Sequence, residues 1–208
     1  MSLRFASIAL TVLLGGCSVL PRAESPDIYL LPGAVAAPAP TIATATQAMT
    51  VSLQVDTPQA GRSLDSTRIA VIPKSNVITV YQGARWSDRA PRLLRDRLID
   101  AFRASASYAA VSSDDANLRA ELELAGDLRA FQTEYTTGKP VVVIRYDAQL
   151  VQPSTQTILA TRQFEIRQPV AGKDVPQVVV AFGQAADALA AQVVDWATAA
   201  HQSDKMVR

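Results

Sequence analysis

The sequence predicts an α/β domain: a mixed, largely antiparallel sheet with two amphipathic helices packed on it, preceded by a signal peptide and a flexible tether. Three observations carry this. Apolar and polar residues alternate in several stretches between Met49 and Arg167, two other stretches repeat every three or four residues, and the chain before Met49 is an apolar leader followed by a Pro/Ala/Thr-rich run.

The leader has one basic residue, Arg4, and an apolar stretch from Phe5 to Leu14. At about ten residues it is too short for a bilayer, which needs about 20, and matches the h-region of a secretory signal. It ends in Leu14-Gly15-Gly16-Cys17, and Cys17 is the only cysteine. Leu-Gly-Gly-Cys resembles the bacterial lipobox, whose cysteine thiol is thioether-linked to diacylglycerol before cleavage. The resemblance implies that residues 1–16 are a lipoprotein signal peptide and that Cys17 becomes the lipidated first residue. A lone cysteine forms no internal disulfide, and nothing has metal-ligand spacing. Ser18 stands where an aspartate would signal inner-membrane retention. By analogy with lipoprotein sorting, the expected address is the periplasmic face of the outer membrane.

Residues 17–48 read as the lipidated N-terminus and tether. From Pro32 to Ala48 the chain is PGAVAAPAPTIATATQA, uncharged and poor in large side chains. Such a composition does not offset its own ordering entropy and behaves as a semi-extended spacer. The roughly 30 residues between Cys17 and the domain would reach several tens of Å at about 3 Å each. Asp27-Ile28-Tyr29-Leu30-Leu31 interrupts this run. It is either a strand added to the domain edge or a docking peptide for a partner, and a strand is expected.

The folded domain is expected over residues 49–203. Met49, Val51, Leu53 and Val55 share one parity, the mark of a half-buried strand. Arg68–Ile72 and Val77–Tyr81 follow as short strands, and Pro73-Lys74-Ser75-Asn76 suits a hairpin turn. A helix then starts near Pro91, with Ser87 or Asp88 as its cap. Leu94, Leu98 and Phe102 form its apolar face, with Arg92, Arg95, Asp96 and Arg103 mainly off it. Three long strands follow as a meander, with Leu122, Leu124 and Leu128 on one face of the first. Val142, Ile144, Tyr146, Ala148 and Leu150 carry the second, and Ile158, Ala160, Phe164 and Ile166 the third. Short turns between alternating strands imply antiparallel pairing with one face wet. A last helix runs from about Pro176 to Ala200, with Asp174 and Gln177 in capping-box relation. Its seam of Val179, Phe182, Ala186, Leu189, Val193 and Trp196 suits packing on the sheet better than a coiled coil.

Removing residues 1–16 leaves 192 residues. Of the 20 Lys and Arg, only Arg4 goes with them, so 19 basic residues face 19 acidic ones. No basic excess advertises nucleic acid, and no polybasic run marks a lipid-binding tail. Beyond the leader no second long apolar segment is evident, so the domain is expected to be soluble and tethered.

The chemistry of catalysis is missing from the pattern. His201, the only histidine, falls in the last turn and reads as a solvated tail residue. Asp114-Asp115 has ordinary turn composition, and Glu121 and Glu123 lie on the wet face of a strand. There is no phosphate loop, nucleophile elbow or metal cluster. The expectation is a protein that is not an enzyme, with no cofactor, no metal and no nucleic-acid partner.

One segment stands apart. Tyr81-Gln82-Gly83-Ala84-Arg85-Trp86-Ser87-Asp88 joins the hairpin to the first helix. An exposed Trp beside an Arg combines large apolar area with a planar, weakly hydrated cation, which is hot-spot chemistry. Tyr81, Arg85 and Trp86 are therefore the candidate partner interface. The alternative has Trp86 plugging the end of the core while Arg85 reaches to solvent.

The order Leu64-Asp65, strand 68–71, Asn76-Val77-Ile78, Ala84-Arg85-Trp86-Ser87-Asp88 and helix Leu93–Leu98 resembles the ABC-type transport auxiliary lipoproteins of the PqiC/YmbA kind. The lipobox and Tyr29-Leu30 fit the same pattern, and Ser87 replaces the usual alanine. The resemblance implies a fold related to the TolB amino-terminal domain. It also implies an envelope lipoprotein that docks to, or adapts, an ABC/MCE-type phospholipid transport system. The implied partners are the membrane, through lipidated Cys17, an MCE-domain protein and ABC transporter subunits, with phospholipid as a further candidate. Some members of the family form rings, so a homo-oligomer is a further expectation. The competing function is a pilotin or assembly lipoprotein for another outer-membrane complex.

Overall fold

The computed structural model describes residues 25–33, 50–135 and 138–207, with side chains to Ser203. Cys17, the signal peptide, most of the Pro/Ala/Thr-rich run, Met49 and Thr136-Thr137 lie outside the described residues. Among the described residues, nine strands and two α-helices follow in chain order. They are β1 (Asp27–Tyr29), β2 (Ser52–Val55), β3 (Gln59–Ala60), β4 (Arg68–Lys74), β5 (Val77–Trp86), α1 (Ala90–Ser105), β6 (Ala110–Ser113), β7 (Leu122–Glu134), β8 (Val141–Gln152), β9 (Thr157–Pro169) and α2 (Val175–Val207).

All nine strands join one sheet, and β7 is its spine. One edge of β7 carries the expected meander, with Glu134 opposite Val141 and, beyond it, Val141 opposite Pro169. The other edge serves three strands in turn, all parallel to it. β2 pairs at Leu122–Leu124, β3 at Asp127–Leu128 and β4 at Gln132–Glu134. β6 lies outside β2, and β5 then β1 lie outside β4. The long ladders are antiparallel as expected. The parallel half has no local signature, because its paired strands are distant in sequence.

Both helices cover one face. α2 packs on β8 and β9, and α1 packs beside α2 over β2 and β6. Leu53, Leu124, Ile144, Leu150 and Phe164 from the sheet meet Leu94, Leu98, Phe102, Phe182, Leu189 and Val193 from the helices, all 2% exposed or less. Trp86, Phe131 and Phe182 fill the space between sheet and helices. Trp86 stands edge-on to Phe182 at 5.1 Å, and Phe131 stacks on Phe182 at 4.8 Å.

Several expectations need correction. The helix α1 is not capped by Ser87 or Asp88. Arg89 is the N-cap residue and makes no side-chain cap, while Asp88 accepts the Arg89 amide at 2.7 Å. α2 runs well past Ala200 and is long and apolar enough to cross a bilayer by length and composition. Most of it is nonetheless buried against the sheet, as a core helix is. His201, far from being a solvated tail residue, is only 7% exposed, because the added turns carry the helix past it. The capping contact at the start of α2 is present, with the Asp174 amide donating to Gln177 Oε1 at 3.4 Å.

The largest correction concerns the tether. Asp27–Tyr29 is a strand of the sheet, opposite Ala84–Trp86 of β5, so residues 27–33 belong to the folded unit. The Pro/Ala/Thr-rich run from residue 34 onward therefore connects β1 to β2 and does not separate Cys17 from the domain.

Candidate functional site

The segment from Tyr81 to Asp88 is mostly the last part of β5, not a loop. Gly83 adopts φ +67°, a conformation that suits glycine, at an irregularity where β4 and β5 fall out of register between Arg68/Arg85 and Ala70/Val80. Beyond it, strand alternation sends Arg85 to solvent and Trp86 into the core. Trp86 is 2% exposed. This corrects the picture of an exposed Trp-Arg pair: Trp86 is the core plug, and Arg85 alone of the two presents a surface. Tyr81 is half-buried, its hydroxyl 3.3 Å from that of Tyr135. Burial and that contact push its pKa above the ordinary phenol value, so it acts as a neutral hydroxyl.

Next to this strand the structure builds a clamp that no sequence motif announces. After β1 the chain passes through Leu31-Pro32-Gly33 onto the two helices. Arg97 of α1 donates to the Leu31 and Pro32 carbonyls at 3.2 and 2.7 Å and pairs with Asp187 of α2 at 2.7 Å. Pro32 lies directly on Gly183, where an added Cβ would sit 2.5 Å from the Pro32 carbonyl oxygen. Gly183 is therefore an approach site for backbone, which accounts for a glycine in mid-helix. One guanidinium satisfies two carbonyls and a carboxylate and joins both helices to the N-terminal segment.

The exposed side of β1 is apolar. Ile28, opposite Arg85 in register, is 71% exposed, and Leu30 is 74% exposed. Arg85, Ile28 and Leu30 give the outer edge of the sheet a cationic and apolar surface. Between α1 and α2, beyond the Arg97–Asp187 pair, runs an open cleft of about 480 Å³. Ala101, Ala104, Ala190 and Val194 line its floor, and Asp100 and Asp195 its sides.

A second polar centre is structural. Arg95, 6% exposed, reaches Asp96, Asp114 and Asp115 at 2.7–2.8 Å and the Thr57 hydroxyl at 3.0 Å. It pins α1 to the turn after β6 and to the end of β2. The sequence signal was available: Arg95 falls four residues from both Pro91 and Ile99, in line with the buried stripe and beside Leu94 and Leu98. Burial raises the pKa of Asp114, but donors on Thr57 and Arg95 outweigh it and hold the carboxyl below its usual range. Glu123 shows the reverse. Its contact with Asp56, with burial added, pushes its pKa up to about 7.

Among the described residues no group of three metal-binding side chains occurs. Cys17 lies outside them, so its role stays with the sequence.

Comparison with known proteins agrees with this architecture. The family described as ABC-type transport auxiliary lipoprotein component matches residues 29–194. The solved structure of protein XCC0632 from Xanthomonas campestris is 31% identical with a TM-score of 0.78, covering 86% of this chain and 99% of that one. A further solved protein, described as uncharacterized, is 15% identical with a TM-score of 0.64, covering 83% of this chain and 98% of that one. The protein CT253 from Chlamydia trachomatis shares the fold at 8% identity and a TM-score of 0.51, covering 72% of this chain and 96% of its own. A search of curated proteins finds no significant match.

Proposed function

The chain belongs to the family of ABC-type transport auxiliary lipoprotein components, and from that premise we propose that it is the membrane-anchored docking subunit of an MCE-type phospholipid transport system. In this reading Cys17 carries the lipid, and the domain is held at the periplasmic face of the outer membrane without performing catalysis.

The observation that carries the reading is the clamp on the N-terminal segment. Pairing of β1 with β5, the Arg97 contacts to Leu31 and Pro32, and the seat of Pro32 on Gly183 lock the anchor-bearing end of the chain into the fold. Nine residues lie between Cys17 and Asp27, a reach of about 35 Å at most over the ten peptide steps. A lipid at Cys17 then fixes where the domain stands and not merely which compartment it occupies. That suits a docking component better than a diffusing carrier. The aromatic filling between sheet and helices supports an adaptor over a lipid-holding cavity.

Arg85, with Ile28 and Leu30 beside it on the sheet edge, is the surface offered to a transporter or MCE-domain partner, in place of Trp86. Density-gradient fractionation of envelopes tests the anchor. Wild-type protein is expected in the outer-membrane fraction, and Cys17→Ser protein in the soluble fraction or retained as precursor. Mature, membrane-bound Cys17→Ser protein would refute it.

A further inference from the structure

Three of the chain's four lysines lie at one end of the sheet: Lys74 at the end of β4, Lys139 just before β8 and Lys173 just before α2. Register fixes their meeting. Lys74 pairs with Val77 across the β4–β5 turn, and the Tyr135 amide donates to the Ile72 carbonyl at 3.1 Å. Glu134 lies opposite Val141 and Val141 opposite Pro169, and the Val170 amide donates to the Pro140 carbonyl at 3.1 Å. Lys74, Lys139 and Lys173 therefore leave the same rim, and all three are exposed. Val77 and Ile78 at the hairpin tip are 39% and 46% exposed. The acids nearby are Asp174, exposed at the start of α2, and Glu134, which is paired with Arg167 at 3.3 Å. An apolar tip flanked by lysines is the composition of an interfacial membrane contact.

The chain enters β1 from the side of this rim. β1 runs parallel to β5 with Asp27 opposite Ala84, so the chain upstream of Asp27 leaves toward the Val77 end of β5. From Ala84 to Val77 the strand measures about 23 Å. Cys17 reaches at most about 35 Å from Asp27, enough to pass the hairpin tip.

We propose that the rim of Lys74, Val77, Ile78, Lys139 and Lys173 rests on an anionic phospholipid surface, the same membrane in which the Cys17 lipid is embedded. The inference rests on the lipid-anchor reading and adds an orientation to it. The turn between β8 and β9, at the other end of the sheet, then faces away from the membrane.

Because Cys17 is the only native cysteine and is taken up by lipid, Val77→Cys provides a single site for an environment-sensitive fluorophore. The lipidated protein is reconstituted into vesicles of phosphatidylcholine with phosphatidylglycerol. The label at position 77 is expected to shift to the blue and to be quenched by spin-labelled lipid, while a label at Ile158→Cys, at the far end, keeps its aqueous emission. Replacing Lys74, Lys139 and Lys173 together with Glu should abolish the shift while the protein still floats with the vesicles. A protein that floats with position 77 in an aqueous setting overturns the inference and leaves the anchor intact, freeing the rim for a protein partner or a second copy. A protein that does not float overturns the anchor and the orientation together.

Discussion

Arg97 and Asp187 form a 2.7 Å ion pair between the two helices, and the same guanidinium holds the carbonyls that lead the N-terminal segment off the sheet. Both side chains are largely withdrawn from water, at 14% and 29% exposure. The pair is thus a fastening for the N-terminal segment and more than a surface contact. Replacing Arg97 with Ala strands Asp187 and two carbonyls, at a cost of about 2 kcal/mol. Urea unfolding should register that loss, and hydrogen exchange should show residues 27–33 opening ahead of the rest.

Gly183 offers a test in which two effects oppose each other. In an unconstrained helix, Gly→Ala stabilises by about 1 kcal/mol. Here the new Cβ meets the Pro32 carbonyl oxygen at 2.5 Å, backbone that moves only if the segment lifts. Gly183→Ala should therefore lower stability or release residues 31–33 to protease, despite its better helix propensity. A more stable protein with unchanged protection there would contradict the clamp.

Trp86 and Arg85 should separate cleanly. Trp86→Ala removes the ring at the centre of the Phe131–Phe182 cluster and costs about 3–5 kcal/mol. Arg85→Ala, at an exposed strand position, should shift stability by less than about 0.5 kcal/mol. Measured together by thermal melting and partner capture, Arg85→Ala is expected to weaken capture in a folded protein. Trp86→Ala should lose capture only as far as it loses fold.

Arg95→Ala leaves Asp114 without its main cationic partner, beside Asp96 and Asp115. The carboxylates left behind are a third or more exposed, so water screens them and the loss should be about 1–2 kcal/mol. In the wild type, Asp114 contributes stability that is present above its unfolded-state pKa and is lost as pH falls through its lower folded-state value. Acid titration of the unfolding midpoint should show a shallower loss in Arg95→Ala than in wild type.

Glu123 works with the opposite sign. Its folded-state pKa is raised to about 7 by Asp56 and by burial, so the folded state holds the proton more tightly than the unfolded chain. Stability then falls as pH rises from the ordinary carboxylate range through about 7. Glu123→Gln should flatten that slope and be the more stable protein at pH 8. An unchanged slope would show that Asp56 and burial do not raise the Glu123 pKa in the folded state.

The strands that alternate and the helices that repeat are legible in the sequence because each depends on nearby residues alone. Leu53, Val55, Tyr146, Phe164 and the α2 seam all point where their parity says. What stays hidden depends on partners far along the chain. β6 is four residues with no strong alternation, held by pairing Ala110–Ser113 to Ser52–Val55. Asp27–Tyr29 is legible as a strand, yet nothing local says that it joins β5, so the spacer reads as lying before the domain when it lies within it. Trp86 fits both of its roles by sequence, and only the phase set after Gly83 decides between them. Gly183 and Arg95 break local rules, a glycine in mid-helix and a charge inside an apolar stripe, and those breaks are the available signals.

Affinity capture from detergent-solubilised envelopes, run in parallel on wild type and Cys17→Ser, tests the central claim most directly. Subunits of an ABC transporter and an MCE-domain protein are expected to be enriched with the wild type and to fall away when Cys17 is replaced. Enrichment of a secretin or barrel-assembly subunit, with no transporter or MCE-domain subunit, would contradict a docking role in lipid transport.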